Sequence, residues 1–429
     1  MKTYFTILLV SALAAFLLTP LVRRLAFVIG ALDVPDARKI HREPMPRLGG
    51  VAVFLGFTAP WLLLYLLDNR VAQVFRQYET LFFALLAGGL AMLLVGAADD
   101  VRPVRAIHKL LAQVVVAAGL YFAGFRITEL SVPFGEPLAL GWLALPASVL
   151  WIVALTNAVN LLDGIDGLVA GVTAIIALSL ALINILAGNI LVALLTFGLA
   201  GAALGFLPYN FSPARIFLGD SGSLFVGLML ACIGTLSLFK ATTATFILAP
   251  LVLFGLPLLD TTSVVFGRLR RGQHIFKPVK TPEHHPPLAR GLPQPQAALL
   301  LYALTSVLGM AAVVLSWRAT AATFLAVAAL AAAVIGGLGT WKGGNRGVNG
   351  PPARAGGNPS GPPAPETSAR CPASRWRPCR WRRRPDAGRR WTFPRRCRSR
   401  ASTLPQWTAM RCGRWTRRAR RQIRPAGCG

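Results

Sequence analysis

Charge is scarce in this sequence. Asp, Glu, Lys and Arg make up 14% of the 429 residues, against about 25% in soluble globular proteins, which argues against a soluble cytosolic enzyme. Acid is scarcer than base, with 16 Asp+Glu against 45 Lys+Arg and a formal net charge of +29. That excess is not spread evenly. Residues 1–340 hold 22 basic and 14 acidic side chains, whereas residues 341–429 hold 23 basic side chains against only Glu366 and Asp386. The basic pI therefore reflects the tail, and no nucleic-acid partner is expected for the body. Soft metal ligands are also lacking. Cys232 is the body's single cysteine and sits in an apolar run, the setting of a buried small hydrophobe. Cys371, Cys379, Cys397, Cys412 and Cys428 show no C-x-x-C spacing and have no neighbouring His, so neither a zinc site nor a disulfide framework is supported.

Apolar residues are abundant, at 54% of the chain. A spanning helix needs about 20 mostly apolar residues. Eleven stretches qualify: 4–22, 49–67, 80–98, 108–125, 139–158, 166–187, 190–208, 222–239, 243–262, 296–316 and 321–340. The first lacks a small-residue cleavage site and is read as retained rather than as a signal peptide. The expected fold is all-α, a polytopic membrane bundle of about 11 transmembrane helices. Loops after the odd-numbered spans carry the surplus of Lys and Arg, which sets the N-terminus outside. With that orientation, Asp33, Asp36, Asp99, Asp100, Asp163, Asp166, Asp220 and Asp260 all fall at or beside cytoplasmic span ends, and Asp68 alone does not. Carboxylates are costly in hydrocarbon, so this gathering predicts a catalytic cleft on the cytoplasmic face. A polytopic transporter or flippase, the rival of a different class, would place ionisable groups near mid-membrane.

Three acidic clusters carry the chemistry. Asp99 and Asp100 end a span in VGAADDVRPVRAIHKLLAQ, and adjacent carboxylates stay ionised only beside a cation or strong donors. In NAVNLLDGIDGLVAG, Asn157, Asn160, Asp163 and Asp166 recur every third residue, which lines one face if the segment is helical. In YNFSPARIFLGDSGS, Asp220 opens a predicted helix whose start offers backbone amides to a phosphate. Hard oxygen ligands without Cys point to Mg²⁺, with Mn²⁺ as a substitute. Basic partners stand nearby in sequence: Lys39, His41, Arg42 and Arg47 in the first cytoplasmic loop, and Arg268 after Asp260. Lys39, His41 and Arg268 are candidate substrate-binding residues. His284 and His285, paired in a Pro-rich loop, suit phosphate binding or proton relay.

The segments RKIHREPMPRLGG, DDVRPVRAIHKLLAQ, NAVNLLDGIDGLVAG, FLPYNFSPARIFLGDSGS and PLLDTTSVVFGRLRRGQHIFKP follow one another in a familiar order. Together they resemble the bacterial polyprenyl-phosphate N-acetylhexosamine-1-phosphate transferases of glycosyltransferase family 4. Within that family they look most like the branch using undecaprenyl phosphate and UDP-N-acetylglucosamine, and the resemblance covers residues 1–340. It implies a Mg²⁺-dependent transfer of N-acetylglucosamine-1-phosphate, or a related sugar-1-phosphate, from a UDP-sugar to a polyprenyl phosphate. UMP is released, and the step initiates a cell-envelope glycan. The implied setting is the bacterial inner membrane, with the active site facing the cytoplasm and a homodimer as one state of assembly. Asp99 and Asp100 match the family's paired aspartates at the lipid phosphate and metal. Asp163 matches an essential carboxylate, and Asp220 matches the metal-binding one. Asn160, Asp166 and Asn210 match nucleotide-sugar or site-shaping positions, and His284 and His285 match two histidines that read sugar and phosphate. Direct attack by the lipid phosphate with Asp99 as base, and a two-step route with Asp163 as nucleophile, both remain open.

Two regions depart from the pattern. Family members usually carry an acid where Val279 stands, a His at Pro282 and an Arg at Pro286, so a catalytically degenerate member is an alternative reading. Residues 341–429 contain 22 Arg, Lys342 as their single Lys, and six Trp, without apolar periodicity. This composition is expected of a disordered arm or of a frameshift product.

Overall fold

The computed structural model describes residues 2–33, 44–65, 70–130, 138–238, 252–259, 261–262 and 293–317, with 323 and 329 singly. All of them lie in one compact unit, Met1–Asn349, and the tail from 341 onward lies outside the described residues.

The unit is a helical membrane bundle. Among the described residues its helices include α1 (Lys2–Ile29), α2 (Gly49–Tyr65), α3 (Arg70–Gln77), α4 (Glu79–Val101), α5 (Ala106–Ala123), α6 (Ala144–Leu162), α7 (Leu168–Leu186), α8 (Ile190–Asn210), α9 (Gly219–Leu238) and α10 (Gln294–Trp317). Eight of the described helices are long and apolar enough to cross a bilayer, and α2, at 17 residues, is shorter. Nine of the eleven expected spans coincide with these helices. Of the other two, 243–262 is described at 252–259 and 261–262, where the chain is helical apart from a turn at residue 254, and 321–340 is described only at 323 and 329.

Burial separates the centre of the bundle from its rim. In the most apolar stretch of α9, 94% of residues are buried, against 28% for α1 and 17% for α5. α9 is therefore the axis of the bundle, while α1 and α5 present open apolar faces suited to lipid. α8 packs on α1 through Gly201 and Gly205, where a Cβ would fall 2.3 Å from the Leu8 carbonyl oxygen and 2.0 Å from that of Ala12.

α3 was not among the expected elements. It docks through Phe75, which is buried, stacks on Trp61 at 5.4 Å and meets Phe82 edge-on at 4.9 Å. Aromatic packing, rather than a long apolar run, holds this short helix in place.

The polar end is stitched by short backbone pairings. Strand β1 (Leu32–Asp33) pairs antiparallel with β2 (Met45–Pro46). Beyond β2 the chain joins the segment that leads into α9: Phe217 N donates to Pro46 O, Gly49 N to Phe217 O and Gly50 N to Leu218 O, all within 3.0 Å. The start of α9 is consequently clamped between α2 and α4. A Cβ on Gly50 would meet Gly222 N at 2.2 Å, and one on Gly96 would meet Asp220 O at 2.2 Å.

Candidate active site

α9 begins at Gly219, whose φ of +75° suits glycine. The expectation that this helix start offers free amides to a phosphate needs correction. Asp220 N donates to Asp100 Oδ1 at 2.9 Å, and Ser221 N donates to Asp100 Oδ2 at 3.0 Å. Asp100 reaches across from the last turn of α4 and caps α9 with both oxygens, as the positive end of a helix favours. Its neighbour Asp99 faces elsewhere, because successive helical residues point about 100° apart. Asp99 Oδ1 accepts from Val104 N at 2.6 Å.

Lys109 completes this group. From the first turn of α5 its Nζ lies 3.1 Å from Asp99 Oδ2 and 2.8 Å from Asp220 Oδ2. Sequence reasoning did not single out Lys109, although it lies ten residues after Asp99 within a quoted segment. A lone lysine at a span's edge reads as a topology determinant, and only the packing of α5 against α4 reveals its partners.

The second acidic cluster is not one continuous helical face. α6 ends at Leu162, with Asp163 as its C-cap at φ −75° and ψ 53°. Gly164 and Gly167 then break the helix, and Gly167 takes a left-handed φ of +79° before α7 starts. Asn157 and Asn160 stay on α6, whereas Asp163 and Asp166 occupy the turn. Ser223 Oγ lies 2.7 Å from Asn160 Oδ1 and 3.1 Å from Gly219 O, which ties α6 to α9. Asn157 pairs with buried Gln113 of α5 through Nδ2 to Oε1 at 2.5 Å. Gln113 is a further residue that the sequence did not flag.

Two candidates shape the chain rather than meeting the carboxylates. Asp166 Oδ2 accepts from Ala214 N at 3.1 Å, and buried Asn210 donates from Nδ2 to Ile216 O at 3.1 Å. Both brace the segment that carries the chain from α8 to α9. Tyr302 of α10 donates to Gly167 O at 2.6 Å and holds the Asp163–Gly167 turn from the other side.

Electrostatics mark the centre of the cluster. Desolvation, reinforced by the nearby charges of Asp220 and Asp100 and opposed by Arg47, pushes the Asp163 carboxyl up to about 8. Four carboxylates, at Asp99, Asp100, Asp163 and Asp220, share this end of the bundle with Lys109. Among the described residues no set of three or more His, Cys, Asp or Glu forms a ready-made metal cage. The donors nonetheless suit a hard cation, since Mg²⁺ commonly takes one or two carboxylates and completes its shell with water and phosphate. The desolvation and neighbouring negative charge that hold a proton on Asp163 are what such a cation would offset. Lys39, His41, Arg268, His284 and His285 lie outside the described residues.

Apolar helices that gather Asp99, Asp100, Asp163, Asp220 and a half-buried lysine at one end define a membrane-embedded protein with a charged site at a helix-end boundary. Residues 82–238, from α4 through α9, match the model described as Glycosyl transferase family 4. The chain is 38% identical over 308 residues to the Bacillus subtilis protein named "Probable undecaprenyl-phosphate N-acetylglucosaminyl 1-phosphate transferase", covering 72% of this chain and 83% of that one. It is 34% identical over 322 residues to the Mycobacterium tuberculosis "Decaprenyl-phosphate N-acetylglucosaminephosphotransferase", covering 68% and 78%. It is also 34% identical over 308 residues to the "Phospho-N-acetylmuramoyl-pentapeptide-transferase" of Desulforudis audaxviator, covering 65% and 88%. The chain belongs to glycosyl transferase family 4, among the polyprenyl-phosphate N-acetylhexosamine-1-phosphate transferases.

Proposed function

We propose that this protein transfers N-acetylglucosamine-1-phosphate, or a related N-acetylhexosamine-1-phosphate, from a UDP-sugar to undecaprenyl phosphate and releases UMP. The reaction initiates a cell-envelope glycan at the bacterial inner membrane, with the site facing the cytoplasm. One observation carries this reading: in a chain of this family, Lys109 bridges Asp99 and Asp220 beside the capped start of α9.

In the reaction, an oxygen of the lipid phosphate bonds to the sugar-linked phosphorus of the donor, and the bond from that phosphorus to the UMP oxygen breaks. The lipid phosphate is already largely ionised at neutral pH, so it needs orientation more than deprotonation. Lys109 supplies positive charge where phosphates of both reactants would otherwise repel each other. Asp99 fixes Lys109 through their 3.1 Å contact. Asp100 fixes Asp220 by capping the helix on which Asp220 stands. Asn160 and Asp166 keep the α6–α7 turn, and with it Asp163, in register with α9 and with residue 214. When bound, Mg²⁺ would screen the two phosphorylated reactants and polarise the transferred group, held by Asp220 with Asp163. Asp100 is less suited to hold it, because both its oxygens already accept amides.

The test uses purified protein in detergent with Mg²⁺, undecaprenyl phosphate and UDP-N-acetylglucosamine, and follows UMP and lipid-linked sugar. Product that disappears with chelator and in Asp220→Asn is the expected result. No product from this donor, from UDP-N-acetylgalactosamine or from the UDP-linked peptidoglycan precursor would favour the degenerate member that Val279, Pro282 and Pro286 suggest.

A further inference from the structure

Arg47 stands at the junction of the first loop with the segment entering α9. Its backbone N donates to Ala31 O at 3.0 Å, and one residue earlier Pro46 O accepts from Phe217 N at 2.9 Å. Two residues later Gly49 N donates to Phe217 O at 3.0 Å. Arg47 and Leu48 thus bulge between two hydrogen bonds to the same residue, three positions before Asp220. Leu48 adopts φ +103° while buried at 4% exposure. A left-handed backbone at a branched, non-glycine residue costs about 1–3 kcal/mol and persists where surrounding contacts over-determine it. Here the kink buries the leucine and leaves its neighbour's side chain 37% exposed.

The guanidinium is oriented rather than loose. Arg47 Nη2 lies 2.9 Å from Asp33 Oδ1, on a side chain only 10% exposed. The same guanidinium opposes the crowding of negative charge at Asp163, which puts its field on the carboxylate cluster. Lys109, by contrast, is engaged with two carboxylates at once. A planar fork of N–H donors is the side chain best matched to phosphate oxygens.

We propose that Arg47 is a phosphate-binding residue, whose Asp33-oriented guanidinium takes a phosphate oxyanion at the edge of the aspartate cluster. The oxyanion belongs either to the nucleotide donor or to the lipid phosphate acceptor. The inference rests on the transferase reading above for the identity of these ligands, but binding can be measured without turnover.

The experiment uses the full chain in phospholipid nanodiscs, as wild type, Arg47→Ala, Arg47→Lys and Asp33→Asn. Binding of UMP is measured by calorimetry, binding of undecaprenyl phosphate by competition, and melting temperature in parallel. Arg47→Ala is expected to weaken one of the two ligands by about 10-fold or more, the loss of a charge-assisted contact. Loss for UMP assigns the donor side, and loss for undecaprenyl phosphate assigns the acceptor side. Arg47→Lys should recover part of the affinity by restoring charge without the fork. Asp33→Asn should match Arg47→Ala in melting temperature but weaken binding by less than about 3-fold. Unchanged affinity for both ligands in Arg47→Ala overturns the proposal. So does an equal loss of affinity in Asp33→Asn, since the pair would then serve only to tie the hairpin. Wild type that binds both ligands yet yields no lipid-linked sugar would remove the transferase reading and leave the Arg47 result standing.

Discussion

α9 carries a polar cluster at each end, one neutral with Asn184 and Ser237 fully buried, the other charged and partly exposed at Asp99, Lys109 and Asp220. At its far end, buried Asn184 of α7 donates to Ser237 Oγ at 2.9 Å and to Leu180 O at 2.7 Å, and Asn189 Nδ2 lies 3.4 Å from Asn184 Oδ1. Every member there is neutral, and donors meet acceptors within the chain. At its near end, Asp99 and Asp220 engage Lys109, Asp100 caps the helix, and Asp163 adds a fourth carboxyl whose charge Arg47 opposes. That end has more negative charge than its own cations offset. A self-satisfied neutral cluster builds a fold, whereas an unbalanced charged one is arranged for something that arrives from solution.

The comparison can be broken most forcefully at Asp220. Asp220→Asn should lower the rate of UMP release by about 100-fold or more, the scale for losing one preorganised electrostatic group. A rate within a few-fold of wild type would make the near end as structural as the far one. Next, Asp100→Ala orphans the amides of Asp220 and Ser221 and should destabilise the protein by about 2–3 kcal/mol. Denaturation in detergent would measure it, and an unchanged midpoint would mean that the cap is dispensable.

Asp163 sharpens the contrast through pH. Its carboxyl, raised to about 8, retains a proton at neutral pH in the cation-free protein. The folded state then binds more protons than the unfolded one, so this group makes stability fall as pH rises from about 4 to about 8. A cation must displace the same proton, so Mn²⁺ affinity should climb by up to about tenfold per pH unit below 8 and flatten above it. Calorimetric titration across that range would show it, and a flat profile would separate the cation from Asp163. The far end offers the control. Asn184→Ala should cost about 1–2 kcal/mol of stability with turnover and metal dependence unchanged. Smallest of all, Tyr302→Phe removes the hydroxyl from Gly167 O and should cost about 1 kcal/mol, read as a small drop in melting temperature.

Much of this was legible without coordinates. Apolar length alone located nine of the helices, because a bilayer imposes one period and one length on everything that crosses it. The carboxylates were equally visible, since charge in so apolar a chain has few places to be. The sequence was less informative about division of labour. Asp99 and Asp100 read as an equivalent pair, yet one grips Lys109 and the other caps a helix contributed from 120 residues away. Asn157 to Asp166 read as one helical face, yet two glycines split it into a helix end and a turn. Lys109, Gln113 and α3 went unremarked because each owes its role to a partner distant in the chain.

Composition and spacing by themselves determined a membrane bundle with its acids gathered at span ends, because both follow from the solvation of single residues in lipid and water. Tertiary structure alone decided which acid caps α9, which one meets Lys109, and where Leu48 is forced into a left-handed turn beside Arg47. Those outcomes depend on which helices touch, and contacts between helices are set by the close approach of Gly50 to Gly222 and of Gly96 to Asp220.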